Sequence, residues 1–231
     1  MSSMVGYELN DSVATITMDD GKVNALGLEM QAEINQALDR AEKDSAKAVV
    51  IAGNERVFCA GFELAVFQSG DQQAALEMLT GGFTLSVRCL TFPAPIIIAA
   101  TGSAIAMGGF LLLSGDHRIG QPKTKCQAIE VAIGLTIPIA AIEIMRMRLT
   151  PAAFQRGAAL ASIYTGDDAI AAGWLDEIVE KEKVLTSAHE AAVAATQLNT
   201  KAHLATKLKA RDSAVKAIQA GIDGLAQERH S

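Results

Sequence analysis

The segment Pro95–Asp116 constrains the fold of this chain more than any other stretch of the sequence. It begins with a continuous apolar, β-branched run, Pro95–Ala100, which predicts a strand buried on both faces. Small residues then break the run, and Met107–Gly109 leads into Phe110–Leu113, which has the apolar density of a buried helix start. A strand, a small-residue turn and a helix N-terminus together direct backbone N–H groups at one point, where they can bind an anion.

The glycine pair Gly108-Gly109 in this segment has two interpretations. Without side chains, the two residues let a ligand approach the backbone closely. Alternatively, they only let the helix pack tightly on a sheet. The segment alone does not decide between these two interpretations.

The rest of the chain alternates between strand and helix patterns before it becomes helical. Predicted strands are Val13–Met18, Ala48–Ala52, Asp116–Ile119 and Trp174–Val179, and predicted helices are Leu26–Lys43, Asp71–Leu90 (with a kink or break at Gly81-Gly82), Ile139–Leu149, one from Pro151, a short one before Gly173, and most of the chain after Lys181. Val57–Leu64 and Gln121–Gln127 are predicted to be loops. This order favours an α/β core followed by a helical C-terminal part.

Composition excludes several classes of partner. The net charge is −6 and the basic residues are scattered, so we expect no nucleic-acid partner. The longest apolar run, Ala104–Leu113, is too short to span a bilayer, so we expect no membrane partner. Cys59, Cys89 and Cys126 lack metal-type spacing, and their odd number and the absence of a signal sequence favour a reducing cytoplasm.

Familiar catalytic motifs are missing. The sequence has no G-x-G-x-x-G after a strand, no P-loop, no G-x-S-x-G and no H-E-x-x-H, and no acidic or histidine cluster has metal-ligand spacing. We therefore expect no metal site. What the sequence does offer is backbone donors and isolated carboxylates, a combination suited to stabilising an oxyanion and moving a proton.

Five segments, in order, resemble the crotonase (enoyl-CoA hydratase/isomerase) superfamily. They are Val23–Leu26, Phe58–Leu64 (similar to F-x-A-G-x-D-L), Thr101–Asp116 (similar to N-G-x-A-x-G-G-G-x-E-L-x-L-x-x-D), Glu130–Leu135 (similar to P-E-x-x-L-G-L) and Asp168–Val179 (similar to A-x-x-x-G-L-V-D-x-V). The resemblance implies an α/β fold in which residues 1–180 form a crotonase-like spiral of ββα turns and residues 181–231 form a helical C-terminal region. It also implies a homotrimer or a hexamer, and the Ala-rich C-terminal region is predicted to pack on a neighbouring copy.

The resemblance further implies an acyl-CoA thioester as substrate, with no separate cofactor. By position, the backbone N–H groups of Phe62 and Met107 would form an oxyanion hole for the thioester carbonyl. Met107 replaces a family glycine; its N–H survives, and its side chain is expected to narrow the pocket. Lys207 is a candidate for a CoA phosphate, or else a solvated surface lysine. The residues expected to bind CoA or substrate are Lys22, Val23, Ala25, Leu26, Ala60, Glu63, Leu64, Gly108, Phe110 and Leu135.

The carboxylates decide which reaction the resemblance favours. Family hydratases use two glutamates; Phe110 occupies the first position, and Glu130 occupies the second. Glu130 would be the single base of an isomerase, or alternatively a surface residue at a helix start. Its apolar neighbours argue against a solvated face and predict a raised pKa.

We therefore expect an enoyl-CoA isomerase. An enoyl-CoA hydratase, another crotonase-type reaction on an acyl-CoA and a non-catalytic acyl-CoA-binding homologue remain as alternatives.

Overall fold

In the computed structural model, which describes residues 3–228, the strands form two sheets. The strands are β1 (Val5–Asn10), β2 (Val13–Met18), β3 (Ala48–Ala52), β4 (Val57–Cys59), β5 (Ile96–Ala99), β6 (Ser103–Ile105), β7 (His117–Gly120), β8 (Cys126–Gln127) and β9 (Glu177–Ile178). The larger sheet has the order β1-β2-β3-β5-β7-β9, and the smaller sheet has the order β4-β6-β8. Only the β1–β2 pair is antiparallel among these described strands; the other pairs are parallel.

The helices connect and cover these sheets. They are α1 (Leu28–Lys43), α2 (Leu64–Gln68), α3 (Gln72–Thr91), α4 (Met107–Leu113), α5 (Ile139–Arg148), α6 (Pro151–Leu160), α7 (Gly166–Ala172), α8 (Val184–Ala195) and α9 (Thr200–Glu228). Short 3₁₀ helices span Glu130–Ile133 and Lys181–Lys183.

Successive segments repeat one pattern along the chain. Each turn adds one strand to the larger sheet and the next strand to the smaller sheet, as β3 then β4, β5 then β6, and β7 then β8. A helix follows the second strand before the chain returns to the larger sheet. The chain is thus a spiral of ββα turns, as the sequence resemblance implied.

Hydrophobic residues cover both faces of the larger sheet. On one face, α1 contributes a stripe of buried residues at helical spacing, including Met30, Ile34 and Leu38. On the other face, α8 packs on β3 and β5 through Val184, Ala188 and Ala192. The strands β3 and β5 are therefore buried throughout, which explains their continuous apolar sequence.

The C-terminal helix α9 packs on α3 and α5 of the same chain and is fixed by a buried charge cluster. The Asp116 carboxylate accepts hydrogen bonds from Lys207 Nζ and Arg211 Nη2, each at 2.7 Å, and from the backbone N–H of Ile96 at 2.7 Å. Both cations hold the pKa of Asp116 below its ordinary value against the effect of burial. Both expectations for Lys207 are therefore wrong, because its ammonium group is buried in an ion pair.

Several boundaries differ from the predictions. Val57–Leu64 and Gln121–Gln127 are not simple loops, because they contain the short strands β4 and β8. Helix α3 runs through Gly81-Gly82 without a break. The predicted strand Trp174–Val179 is reduced to the two residues of β9. In contrast, α6 begins at Pro151 as predicted, and Thr150 occupies its N-cap position.

Candidate active site

Two backbone N–H groups without a partner lie close together, just after the first two strands of the smaller sheet, β4 and β6. The N–H groups of Phe62 and Met107 donate to no other group within residues 3–228. A methyl group built on Gly61 would lie 3.6 Å from the nitrogen of Met107, so the two donor segments are adjacent. Met107 begins α4, and its N–H therefore has no acceptor within the helix.

Ala106 sets the direction of the Met107 N–H. Its backbone angles, φ 51° and ψ −126°, lie in a region that favours glycine, so an alanine there is strained. Hydrogen bonds on both sides hold it: its N–H donates to the carbonyl of Gln127 at 2.8 Å, and its carbonyl accepts from the N–H of Gly109 at 2.8 Å. The same bond to Gln127 brings the segment that leads to Glu130 beside the start of α4.

The loop before α1 is bonded directly to the loop that carries Phe62. The N–H of Leu26 donates to the carbonyl of Gly61 at 2.8 Å, and the N–H of Ala60 donates to the carbonyl of Val23 at 3.1 Å. The structure thus brings together the predicted binding residues of 23–26 and of 60–64. Lys22, Val23, Ala60, Glu63 and Leu64 are exposed along these loops, whereas Ala25 is half-buried and Leu26 is buried.

Asn24, which is not among the predicted site residues, organises this loop. Asn24 is fully buried with φ 52°, and its Nδ2 donates to the carbonyls of Met18 at 2.9 Å and Phe58 at 3.1 Å. The Asp20 carboxylate accepts from the N–H groups of Lys22, Asn24 and Ala25, and these bonds outweigh burial to lower its pKa. An Asn-Ala pair directly after a strand and turn was the available signal, because asparagine tolerates positive φ.

Glu130 is the first residue of its 3₁₀ helix, and its Oε2 atom is buried without a hydrogen-bond partner among the described residues. Burial raises the pKa of this carboxyl above its ordinary value, opposed by a bond from its own backbone N–H. The sequence predicted a raised pKa for Glu130, and the structure gives a shift in the same direction. The reasoning from its neighbours does not hold, because Val131, Ala132 and Ile133 are exposed and their segment lies on the surface.

Phe110, at the position of a family glutamate, is part of an aromatic cluster and is 1% exposed. Its ring stacks on Phe83 with centroids 6.2 Å apart, and Phe83 meets the edge of Phe62 at 6.1 Å. Met107 is also fully buried, with its side chain directed at α3. A water molecule bound at position 110 would need this packing to open.

The glycine pair serves close packing in this structure. A methyl group on Gly108 would lie 2.1 Å from the carbonyl oxygen of Cys59, and one on Gly109 would lie 3.1 Å from the ring of Trp174. Helix α4 therefore lies directly against the backbone of β4. Tight packing and an unpartnered N–H on the preceding Met107 occur together, so the two interpretations of the pair do not exclude each other.

An apolar cleft of about 490 Å³ lies beyond Glu130. Val131, Leu135 and Ile137 line one side, and Ala158 and Ala159 of α6 line the other. Leu135, which the resemblance assigns to substrate binding, is 56% exposed here. Among the hydrogen bonds of residues 3–228, none joins Leu135 to the loops carrying Phe62 and Met107; its N–H donates to the carbonyl of Glu130 at 2.9 Å.

The described part of the chain shows neither a cluster of metal ligands nor a membrane-spanning helix. Between residues 3 and 228, no group of three or more potential ligand side chains is arranged to hold a metal ion. No helix in the same range is long and apolar enough to cross a membrane.

The parallel ββα spiral, with its two unpartnered N–H groups, places the chain among proteins of the crotonase fold. It belongs to the enoyl-CoA hydratase/isomerase family, whose family model matches residues 8–230. The human mitochondrial Δ3-Δ2-enoyl-CoA isomerase shares this fold, with a TM-score of 0.88 at 20% identity over 98% of this chain and 93% of that chain.

Similar proteins carry two different names. An enoyl-CoA hydratase from Mycobacterium marinum is 53% identical, with a TM-score of 0.95 over 97% of this chain and 99% of that chain. An enoyl-CoA isomerase from Mycobacterium tuberculosis is 52% identical, with a TM-score of 0.96 over 99% and 100%. Among curated relatives, a probable enoyl-CoA hydratase of M. tuberculosis is 36% identical over 53% of this chain and 49% of its own length. The chain thus spans about half the length of the curated relatives it matches.

Proposed function

We propose that this protein is an enoyl-CoA isomerase that moves a double bond in an acyl-CoA by a 1,3-proton transfer. The observation that supports this choice is one buried carboxylate oxygen without a partner among residues 3–228, on Glu130, together with a buried phenylalanine, Phe110, at the position of the other family glutamate. One carboxylate is enough to move a proton from one carbon to another. Hydration would also require a group that holds and activates water, and the Phe110 ring has no such capacity.

In the proposed reaction, the thioester carbonyl of a 3-enoyl-CoA accepts hydrogen bonds from the N–H groups of Phe62 and Met107. The Glu130 carboxylate removes a proton from C2, and the electron pair of that C–H bond passes to the carbonyl oxygen to form a conjugated enolate. The two N–H groups stabilise the charge that develops on this oxygen. Glu130 then returns the proton to C4 as the enolate collapses to the 2-enoyl-CoA. The proton balance closes within the site, so the reaction needs no cofactor.

The raised pKa of Glu130 supports its role as a base. A carboxylate in a poorly hydrated position is a stronger base than one in water, and it exchanges its proton more easily with a weakly acidic C–H. The exposed loops at 22–25 and 60–64 are proposed to hold the CoA portion of the substrate, with Lys22 near its phosphates and Leu64 and Glu63 beside its pantetheine.

Enoyl-CoA hydration is the second candidate, because a relative that is 53% identical is named a hydratase. Rates for matched 3-enoyl-CoA and 2-enoyl-CoA substrates of equal chain length separate the two reactions. We expect isomerisation of the 3-enoyl substrate to exceed hydration of the 2-enoyl substrate by at least about tenfold in kcat/KM. Faster hydration would overturn the proposal. Tight binding of both thioesters without turnover would instead favour a non-catalytic acyl-CoA-binding protein.

We also propose that the protein assembles as a homotrimer or hexamer and works in the cytoplasm. The predicted contact of the Ala-rich C-terminal region with a neighbouring copy stays a prediction. A second candidate surface lies near the cleft next to Glu130, where the 131–135 segment and the end of α6 carry exposed apolar side chains: Val131, Ile133, Leu135, Leu160 and Ile163. A second copy of the chain would remove this patch from water. The three buried free thiols, of which Cys59 is one, are consistent with a reducing compartment.

A further inference from the structure

The side chains of the two proposed donors, Phe62 and Met107, meet on the same residue of another helix. Gly82 is buried in the middle of α3. A methyl group on Gly82 would lie 2.5 Å from a ring carbon of Phe62 and 3.5 Å from Cγ of Met107. The first distance is shorter than contacts between carbon atoms allow, so the Phe62 ring occupies space that any other residue at position 82 would fill.

The position of the Phe62 ring also sets the orientation of its backbone. The ring is wedged between Phe67 and Phe83, which it meets edge-on with centroids 6.2 and 6.1 Å apart. Backbone bonds hold the residues on both sides of Phe62: the Gly61 carbonyl accepts from the N–H of Leu26 at 2.8 Å, and the Glu63 carbonyl accepts from the N–H of Val66 at 3.2 Å. The Phe62 N–H itself has no partner among the described residues, so packing of the ring on α3 adds a constraint on its direction.

Glycine is a poor choice for the interior of a helix on propensity alone, since only proline is less favourable. Gly82 nevertheless lies about ten residues inside a continuous helix of 20 residues. Helix formation would be served better by alanine. The close approach of Phe62 and Met107 gives a physical reason for glycine at this position.

We propose that Gly82 is a positioning residue for the oxyanion hole. Because Gly82 has no side chain, the Phe62 and Met107 side chains pack closely against α3. This packing directs their two N–H groups at the thioester oxygen. The inference rests on the proposed function, because it assumes that these N–H groups bind the substrate carbonyl.

The test compares two glycine-to-alanine changes within helices of the full chain. Gly157→Ala in α6 is the matched control, since the nearest atom to its methyl group would be the terminal methyl of the flexible Met145 side chain, at 3.2 Å, and Leu149 and Tyr164 would lie at an ordinary contact distance of 3.9 Å. We expect Gly157→Ala to keep kcat and to retain or raise Tm. Gly82→Ala should keep Tm within a few degrees, because gained helix propensity offsets displacement of the ring. Its kcat for a 3-enoyl-CoA should fall about 10- to 100-fold, less than the loss of a whole donor, while KM changes less than about threefold.

A spectroscopic readout separates positioning from stability. The infrared carbonyl stretch of a bound, ¹³C-labelled saturated acyl-CoA reports the hydrogen bonds that its thioester oxygen accepts. In the wild type, the stretch should move to lower frequency on binding, and in Gly82→Ala this shift should shrink. In the double variant Gly82→Ala/Phe62→Leu, the smaller leucine side chain leaves room for the methyl group. Its kcat should therefore be at least about tenfold higher than that of Gly82→Ala, and part of the carbonyl shift should return.

The outcomes distinguish this inference from the proposed function. A wild type that neither isomerises 3-enoyl-CoA nor shifts the bound carbonyl would overturn the proposed function. A wild type that does both, with Gly82→Ala unchanged in kcat and carbonyl shift, would overturn the positioning role alone. Failure of Phe62→Leu to relieve the defect of Gly82→Ala would also refute it, because the defect would then arise elsewhere.

Discussion

Replacing Glu130 by glutamine removes the proposed base and leaves a side chain of nearly the same shape. General base catalysis contributes about 100- to 10,000-fold, which corresponds to roughly 2.7–5.5 kcal/mol of activation free energy. Because Glu130 is proposed as the only proton carrier, we expect Glu130→Gln to lose at least this factor in kcat. The N–H groups of Phe62 and Met107 belong to the backbone and do not contact Glu130, so thioester binding should persist.

The same substitution should stabilise the protein at neutral pH. The pKa of Glu130 is raised in the folded chain, so folding favours the protonated carboxyl and is penalised once the group ionises. The free energy of unfolding of the wild type should therefore fall as pH rises from 4.5, the ordinary pKa of a glutamate, through the raised pKa of Glu130. Glu130→Gln has no ionisable group at this position and should not show this fall. The difference in Tm should be small at about pH 4 and should favour the glutamine variant at about pH 7.5.

The assay combines isomerisation kinetics, calorimetric binding of a saturated acyl-CoA, and thermal unfolding at several pH values. The rate of the wild type should rise with pH through the raised pKa, since the base must be ionised. Near-normal kcat in Glu130→Gln would refute the assignment of the base, and Glu63 would be the next carboxylate to replace. Equal Tm differences at both pH values would refute the argument from burial.

Three further outcomes follow from other parts of the structure. Phe110→Glu should add at most weak hydratase activity, which a hydration assay measures. It should also lower the free energy of unfolding by roughly 3–5 kcal/mol, because the ring it removes is fully buried, and chemical denaturation measures this loss. Lys207→Met should cost roughly 3–5 kcal/mol at neutral pH by leaving Asp116 short of one buried partner. Because its partners lower the pKa of Asp116, the wild type should lose its stability advantage over Lys207→Met as pH falls below 3.8. If urea titrations at low pH still show the full difference in free energy of unfolding, the ion pair of Lys207 with Asp116 is not its source. Light scattering should detect a trimer or hexamer, and Leu135→Lys should weaken it; a stable monomer of the wild type at micromolar concentration would exclude assembly.

Local patterns in the sequence were sufficient for the long, regular elements. The apolar run of Ala48–Ala52 and the helical spacing of apolar residues in α1 each reflect burial against one continuous surface, which a short window of sequence records. Thr150-Pro151 and Gly173 likewise marked helix ends by their own backbone preferences. The spiral itself came from resemblance to a family and not from periodicity.

The short strands of the smaller sheet could not be predicted in the same way. β6 has three residues and β8 has two, and they exist because Ala104 pairs with Cys126 across the fold. Burial of Lys207 depends on a carboxylate 91 positions away. Val131 is exposed because no element between residues 3 and 228 covers it. Such features belong to tertiary structure, since no local pattern distinguishes a buried lysine from a surface one.

The charge cluster at Asp116 has a consequence for the order in which the chain folds. Asp116 follows the central strand and helix, whereas its partners Lys207 and Arg211 lie 91 and 95 residues further along the chain. During synthesis, Asp116 leaves the ribosome 91 residues before Lys207 does, and contacts of such sequence separation form slowly. Until α9 docks, the Asp116 carboxylate has to remain hydrated, so the region around it cannot close completely. Docking of α9 should therefore be a late step of folding, and pulse-labelling hydrogen exchange should detect protection at Ile96 only after α9 has bound.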